Sequence, residues 1–162
     1  MENRCILGIS ANTRCIGLAI IKGSSLIDYA VKLNKEKWSE TKGQKIITSL
    51  QTWYAHINIQ NIILSRPYAH HQTKEMESLY KKIFQTFKKE NVEVRSYTIS
   101  QVLHGWKIEG KKKKKTLYEK IAMQYPEIHG IVEKDQLNTS VYYSKLFEAI
   151  AVATYYQVSN SR

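Results

Sequence analysis

The sequence predicts an α/β domain on a mixed five-stranded sheet, three antiparallel strands plus two parallel ones, flanked by helices on both faces. Three observations lead there. Short apolar runs open the chain before any helical pattern appears, and two later runs of the same kind are each reached through a segment of helical periodicity. The 162 residues, 43% of them hydrophobic, supply one substantial core and are too few for two, so residues 1–162 are expected to form a single domain.

Cys5 to Ile9 and Ile16 to Ile21 read as adjacent strands joined by the turn Ser10-Ala11-Asn12-Thr13-Arg14, and Leu26 to Leu33 supplies a third after Gly23-Ser24-Ser25. From Gly43, the residues Ile46, Ile47, Leu50, Trp53, Tyr54 and Ile57 recur at helical spacing. Ile62 to Leu64 is a short buried strand ending at Ser65-Arg66-Pro67. Met76, Leu79, Tyr80, Ile83, Phe84 and Phe87 then mark one helical face, with Glu75 and Glu77 near its positive N-terminal end. Val92 to Tyr97 makes the fifth strand and Ile99 to Leu103 a helical turn. Leu117 to Tyr125 is a helix stopped by Pro126, and Tyr142 to Tyr155 a final helix. In such sheets, binding residues gather outside the strand ends. That points to Ser10 after the first strand and Ser65 after the fourth.

With 25 Lys and Arg against 14 Asp and Glu, the net charge is +11, which favours a polyanionic partner, nucleic acid ahead of an acidic membrane surface. The charge is concentrated. Residues 66–120 hold 14 basic and 6 acidic side chains, so they carry +8 of the total. Twenty of the cations are Lys and five are Arg (4, 14, 66, 95 and 162), which suits point-charge contact with phosphates better than bidentate reading of base edges. Recognition of backbone or shape is therefore expected over recognition of sequence. The apolar runs are too short to span a membrane, and no basic segment followed by a long apolar stretch opens the chain. The protein is expected to stay in the cytoplasm without a membrane partner. Cys5 and Cys15 lie in no CxxC pair and read as buried thiols.

The stretch Ile6-Leu7-Gly8-Ile9-Ser10-Ala11-Asn12-Thr13-Arg14-Cys15-Ile16-Gly17-Leu18-Ala19-Ile20 resembles the opening of the ribonuclease H-like superfamily, specifically the RuvC Holliday-junction resolvases, which read roughly ILGIDPGxxxxGxAxI there. The likeness continues through Ile62-Ile63-Leu64-Ser65, through Val94-Arg95-Ser96-Tyr97 to Gly105 and its following lysines, and through Glu148-Ala149-Ile150-Ala151-Val152-Ala153. YqgF-type relatives share the Thr13 to Ala19 pattern. The resemblance implies a ribonuclease H-like fold and a two-metal nuclease site of four carboxylates: one ending the first strand, one ending the fourth, and two spaced three apart in the last helix. This chain departs at three of the four. Ser10, Ser65 and Lys145 stand where carboxylates belong, and Glu148 alone is acidic. A pair of Mg²⁺ or Mn²⁺ ions needs several carboxylates to offset its charge, and Lys145 can pair with Glu148 at i, i+3. No metal site or cofactor is therefore expected. The chain has only two aspartates, Asp28 and Asp135, neither in a motif resembling the site.

The resemblance also implies DNA-backbone contact at Lys111 to Lys115, and Arg14, Arg66 and Lys107 join them as candidate contacts. Trp106 could stack on an unpaired base, but packing at a core edge is the stronger reading. His70-His71 read as a polar loop rather than a ligand pair. The Met76 to Phe87 stripe reads as core by default, with pairing of two chains as the alternative. The leading expectation is a RuvC-like protein without metal-dependent cleavage that binds DNA, with branched DNA as the candidate form, through its lysine-rich face. The runner-up is an active, Mg²⁺- or Mn²⁺-dependent endonuclease recruiting Glu75, Glu109 or Asp135. A third reading is a protein-interaction module.

Overall fold

The computed structural model describes residues 4–12, 14–33, 37–131 and 143–160. Thr13, Asp135 and Tyr142 lie outside the described residues. Three strands open the chain: β1 (Cys5–Ala11), β2 (Cys15–Lys22) and β3 (Ser25–Leu33). A helix, α1 (Glu40–Trp53), leads to β4 (Ile59–Arg66), and α2 (Lys74–Lys89) leads to β5 (Glu93–Thr98). Then come α3 (Ile99–Gly105), α4 (Lys113–Gln124) and α5 (Ser144–Asn160). The sheet order is β3-β2-β1-β4-β5. β1, β2 and β3 pair antiparallel, while β4 lies parallel to β1 and β5 parallel to β4. This is the ribonuclease H-like arrangement expected above.

The alternation along each strand divides two cores. Leu7, Ile9 and Ala11 of β1, with Leu18, Ile20, Ile62 and Leu64, pack under α1 and α2. Ile6, Ala19, Ile21 and Ile63 face the other way, toward α3, α4 and α5. On that second face glycine decides how close the helix comes. A Cβ on Gly17 would stand 2.2 Å from the backbone C and O of Lys145, and one on Gly8 would stand 2.1 Å from the carbonyl oxygen of Ala149. α5 therefore lies directly on β1 and β2, with its row Lys145, Ala149 and Ala153 turned to the sheet.

Several element bounds differ from those read in the sequence. α1 begins at Glu40 because Ser39 caps it, its hydroxyl accepting from the Lys42 N–H at 3.0 Å. β4 is longer than its apolar core, running from Ile59 to Arg66. α4 begins at Lys113 rather than Leu117, so Lys113, Lys114 and Lys115 form its first turn and only Lys111 and Lys112 precede it. Lysine is a good helix former, and nothing in the run stops the helix from extending backward. Among the described residues, no helix is long and apolar enough to cross a membrane.

Candidate functional site

Parallel pairing of β1 with β4 sets Ser10 opposite Ser65 in register, and antiparallel pairing sets Ser10 opposite Gly17. Both serines are buried, at 1% and 2% exposure. Because Gly17 admits the start of α5, Glu148 reaches over this strand end. The Ser10 hydroxyl donates to Glu148 Oε1 at 2.8 Å, and the Lys145 ammonium donates to the same oxygen at 3.0 Å. Ser144 Oγ stands 3.4 Å from Glu148 Oε2. Residues 10, 65, 145 and 148, far apart in the chain, thus meet at one end of the sheet.

Tyr80 holds that end from the opposite face. Its hydroxyl donates to the Ser65 carbonyl at 2.7 Å and accepts the Ala11 N–H at 3.1 Å, bridging β1 and β4 beside the serines. The side chain is 1% exposed, and burial pushes its phenol well above the usual tyrosine range. The sequence showed Tyr80 only as part of an apolar stripe, and a hydroxyl aimed at backbone atoms leaves no signal in spacing. Cys15, at the start of β2, is also buried, and burial raises its thiol against the opposing pull of the nearby Lys145 charge.

The donors do not fit a pair of divalent ions. Hard cations of this kind take carboxylate, carbonyl and water oxygens, and the pocket offers one carboxylate, the hydroxyls of Ser10, Ser65 and Ser144, and an ammonium. At about 4 Å and an effective dielectric of ~20, each unit of like charge costs about 4 kcal/mol, so the ammonium repels an ion more than a hydroxyl can recover. Among the described residues, no group of three or more His, Cys, Asp or Glu could hold a metal. Glu75 and Glu109, the described carboxylates of the alternative reading, are exposed, as is Asp28. His70 and His71 lie in an exposed turn, His70 stacking on Tyr68.

The basic residues fall into different surroundings. Arg14 is exposed in the turn between β1 and β2, at the pocket end of the sheet, where Asn12 Oδ1 accepts its N–H at 2.7 Å. Arg66 is engaged internally: it bonds Glu77 at 2.6 Å and Ser96 Oγ at 3.0 Å, over the Tyr80 ring. Lys107 is exposed and holds a left-handed backbone, φ 58°. Lys120 secures that bend, its ammonium donating to the carbonyls of Trp106 at 2.9 Å and Lys107 at 3.2 Å. Trp106 packs, its indole N–H donating to the Ala151 carbonyl at 3.0 Å. Lys111 to Lys115 are all exposed. Lys114 lies over the Tyr118 ring, which packs on Phe147, the residue before Glu148. The lysine-rich turn and the pocket are thereby linked through two aromatic side chains.

Neither a family model nor a curated protein matches the sequence. Solved structures match the fold. The RuvC of T. thermophilus in complex with a Holliday junction substrate is similar with a TM-score of 0.70 at 13% identity, over 98% of this chain and 97% of that one. A second Thermus thermophilus RuvC structure gives 0.66 at 15% identity, with 96% of both chains covered. The Fowlpox virus resolvase in complex with Holliday junction DNA gives 0.55 at 13% identity, over 95% of this chain and 99% of that one.

Proposed function

We propose that this chain binds nucleic acid, branched DNA in particular, through its lysine-rich face and does not cut it by metal-dependent chemistry. The observation that carries the reading is the make-up of the strand-end pocket: Ser10, Ser65, Lys145 and a single carboxylate, Glu148, already taken by Ser10 and Lys145. Support for binding comes from the first turn of α4. Lys113, Lys114 and Lys115 stand at the positive end of that helix, whose first turn holds no acidic residue; Glu119, one turn on, reaches Lys115 at 3.9 Å and leaves Lys113 and Lys114 to the solvent side. Three cations there oppose the helix dipole and one another, an arrangement that an anion relieves. Lys111, Lys112, Lys107 and Arg14 are exposed cations of the same reading, whereas Arg66, committed to Glu77 and Ser96, contributes less. Two of the solved structures of the same fold are complexes with Holliday junctions, which makes a junction the first substrate to try.

Most of the α2 stripe is consumed by the core, since Met76, Leu79, Tyr80, Ile83 and Phe87 are buried. Phe84 is left 44% exposed, beside a groove of about 620 Å³ shared with Arg66, Tyr80 and Val94. It is the contact on which two copies would pair, and sedimentation across concentration reads this out.

The test of binding is a four-way junction titrated against duplex and single strand over a range of salt. Affinity should favour the junction and fall linearly in log salt, with a slope of about −0.9 per phosphate neutralised. Replacing Lys111 to Lys115 by Ser should flatten that slope. An unchanged slope and affinity would make the run a solvated surface, and no binding to any of the three would favour the protein-interaction reading.

A further inference from the structure

The metal ions that the fold suggests are not merely short of ligands here; a specific group stands in their way. Glu148 Oε1 receives the Ser10 hydroxyl at 2.8 Å and the Lys145 ammonium at 3.0 Å, so an ion seeking that oxygen must displace a donor and sit against a fixed positive charge. Lys145 has little freedom to leave. Its backbone is seated on Gly17, where a Cβ would be 2.2 Å away, and its side chain is only 13% exposed. The Glu148 side chain is 20% exposed, so water alone does not supply what a bare carboxylate needs.

We infer that Lys145 is a tethered counterion: its ammonium takes the electrostatic part of a divalent cation at Glu148, holds that carboxylate where it accepts the Ser10 hydroxyl of β1, and closes the pocket to metal. A lysine three residues before the carboxylate reaches it from the same helical face. Seated over Gly17, its charge is delivered by the fold itself and needs no ion from solution. This rests on reading the pocket as one that does not cut, and is independent of nucleic-acid binding.

The test uses the full chain without nucleic acid, wild type beside Lys145→Met and Ser10→Asp/Lys145→Asp, with Mn²⁺ binding followed by electron paramagnetic resonance and unfolding by calorimetry. Wild type should show no saturable Mn²⁺ binding at millimolar metal and an unchanged Tm. Lys145→Met should unfold at a lower temperature, because Glu148 loses its charged partner and keeps only hydroxyls, and added Mn²⁺ should raise that temperature. The double variant should bind Mn²⁺ at least about tenfold more tightly than Lys145→Met. If its three neighbouring carboxylates keep it from folding, Lys145→Met carries the test alone. A Lys145→Met protein with wild-type Tm and no response to Mn²⁺ overturns the inference. So does saturable Mn²⁺ binding by wild type; if that protein still leaves junction DNA whole, the functional reading survives while the counterion does not.

Discussion

Gly17→Ala places a methyl group where α5 now lies. The added Cβ would stand 2.2 Å from the backbone C and O of Lys145 and 2.4 Å from the Leu146 N. Ordinary contact begins near 3.4 Å, so helix and strand must separate by about 1.2 Å, the difference between 3.4 and 2.2 Å. The neighbours are backbone atoms and cannot rotate aside. Overpacking of this kind costs about 1–3 kcal/mol, and rigid surroundings favour the upper part of that range. The same retreat lengthens the 2.8 Å bond from Ser10 to Glu148 beyond hydrogen-bond range. Urea denaturation should show a lowered midpoint at unchanged slope. Gly130→Ala is the control, because a Cβ there meets nothing within 4 Å. A Gly17→Ala protein within about 0.5 kcal/mol of wild type would refute the claim that glycine sets the height of α5 and hence the geometry of the pocket.

Tyr80→Phe removes a hydroxyl that serves two buried backbone groups, Ser65 O and Ala11 N–H, and should cost about 1–3 kcal/mol, with faster hydrogen exchange at the Ala11 amide; exchange unchanged at Ala11 would count against the bridge. The phenols of Tyr80 and Tyr125, both raised by burial, make stability fall at high pH: their contribution is whole below the ordinary tyrosine value of about 10 and is lost as pH rises toward the higher folded values. Urea midpoints measured upward from neutral pH should be flat and then decline, and a rise past pH ~10 would contradict the assignment.

The sheet was legible because β1, β2 and β4 are apolar runs bounded by polar turns, and α2 because its buried residues keep strict helical spacing. β5 is a half-exposed edge strand with apolar residues only at Val94 and Tyr97, and its place after α2 is what marked it. The start of α4 was not legible: Lys112 precedes it without a side-chain cap, so no local signal marks the boundary, and the apolar periodicity begins only at Leu117. At the site, the residue types at 10, 65, 145 and 148 were readable through family resemblance, and their meeting follows from strand register and α5. The sequence also held two glycines inside strands, a known sign of close backbone approach, although only the structure shows that α5 is what approaches. The bridge from Tyr80 and the pairing of Arg66 with Glu77 stayed hidden, because each joins elements whose relative placement is decided by packing rather than by local pattern.

The central claim, binding without metal-dependent cutting, is tested most directly by incubating wild type with a labelled four-way junction in Mg²⁺ or Mn²⁺ and resolving complexes on native gels and strands on denaturing gels. The account predicts a retarded complex whose strands are all full length. Strand cleavage that requires the metal and disappears in Glu148→Gln would contradict it and establish an active nuclease.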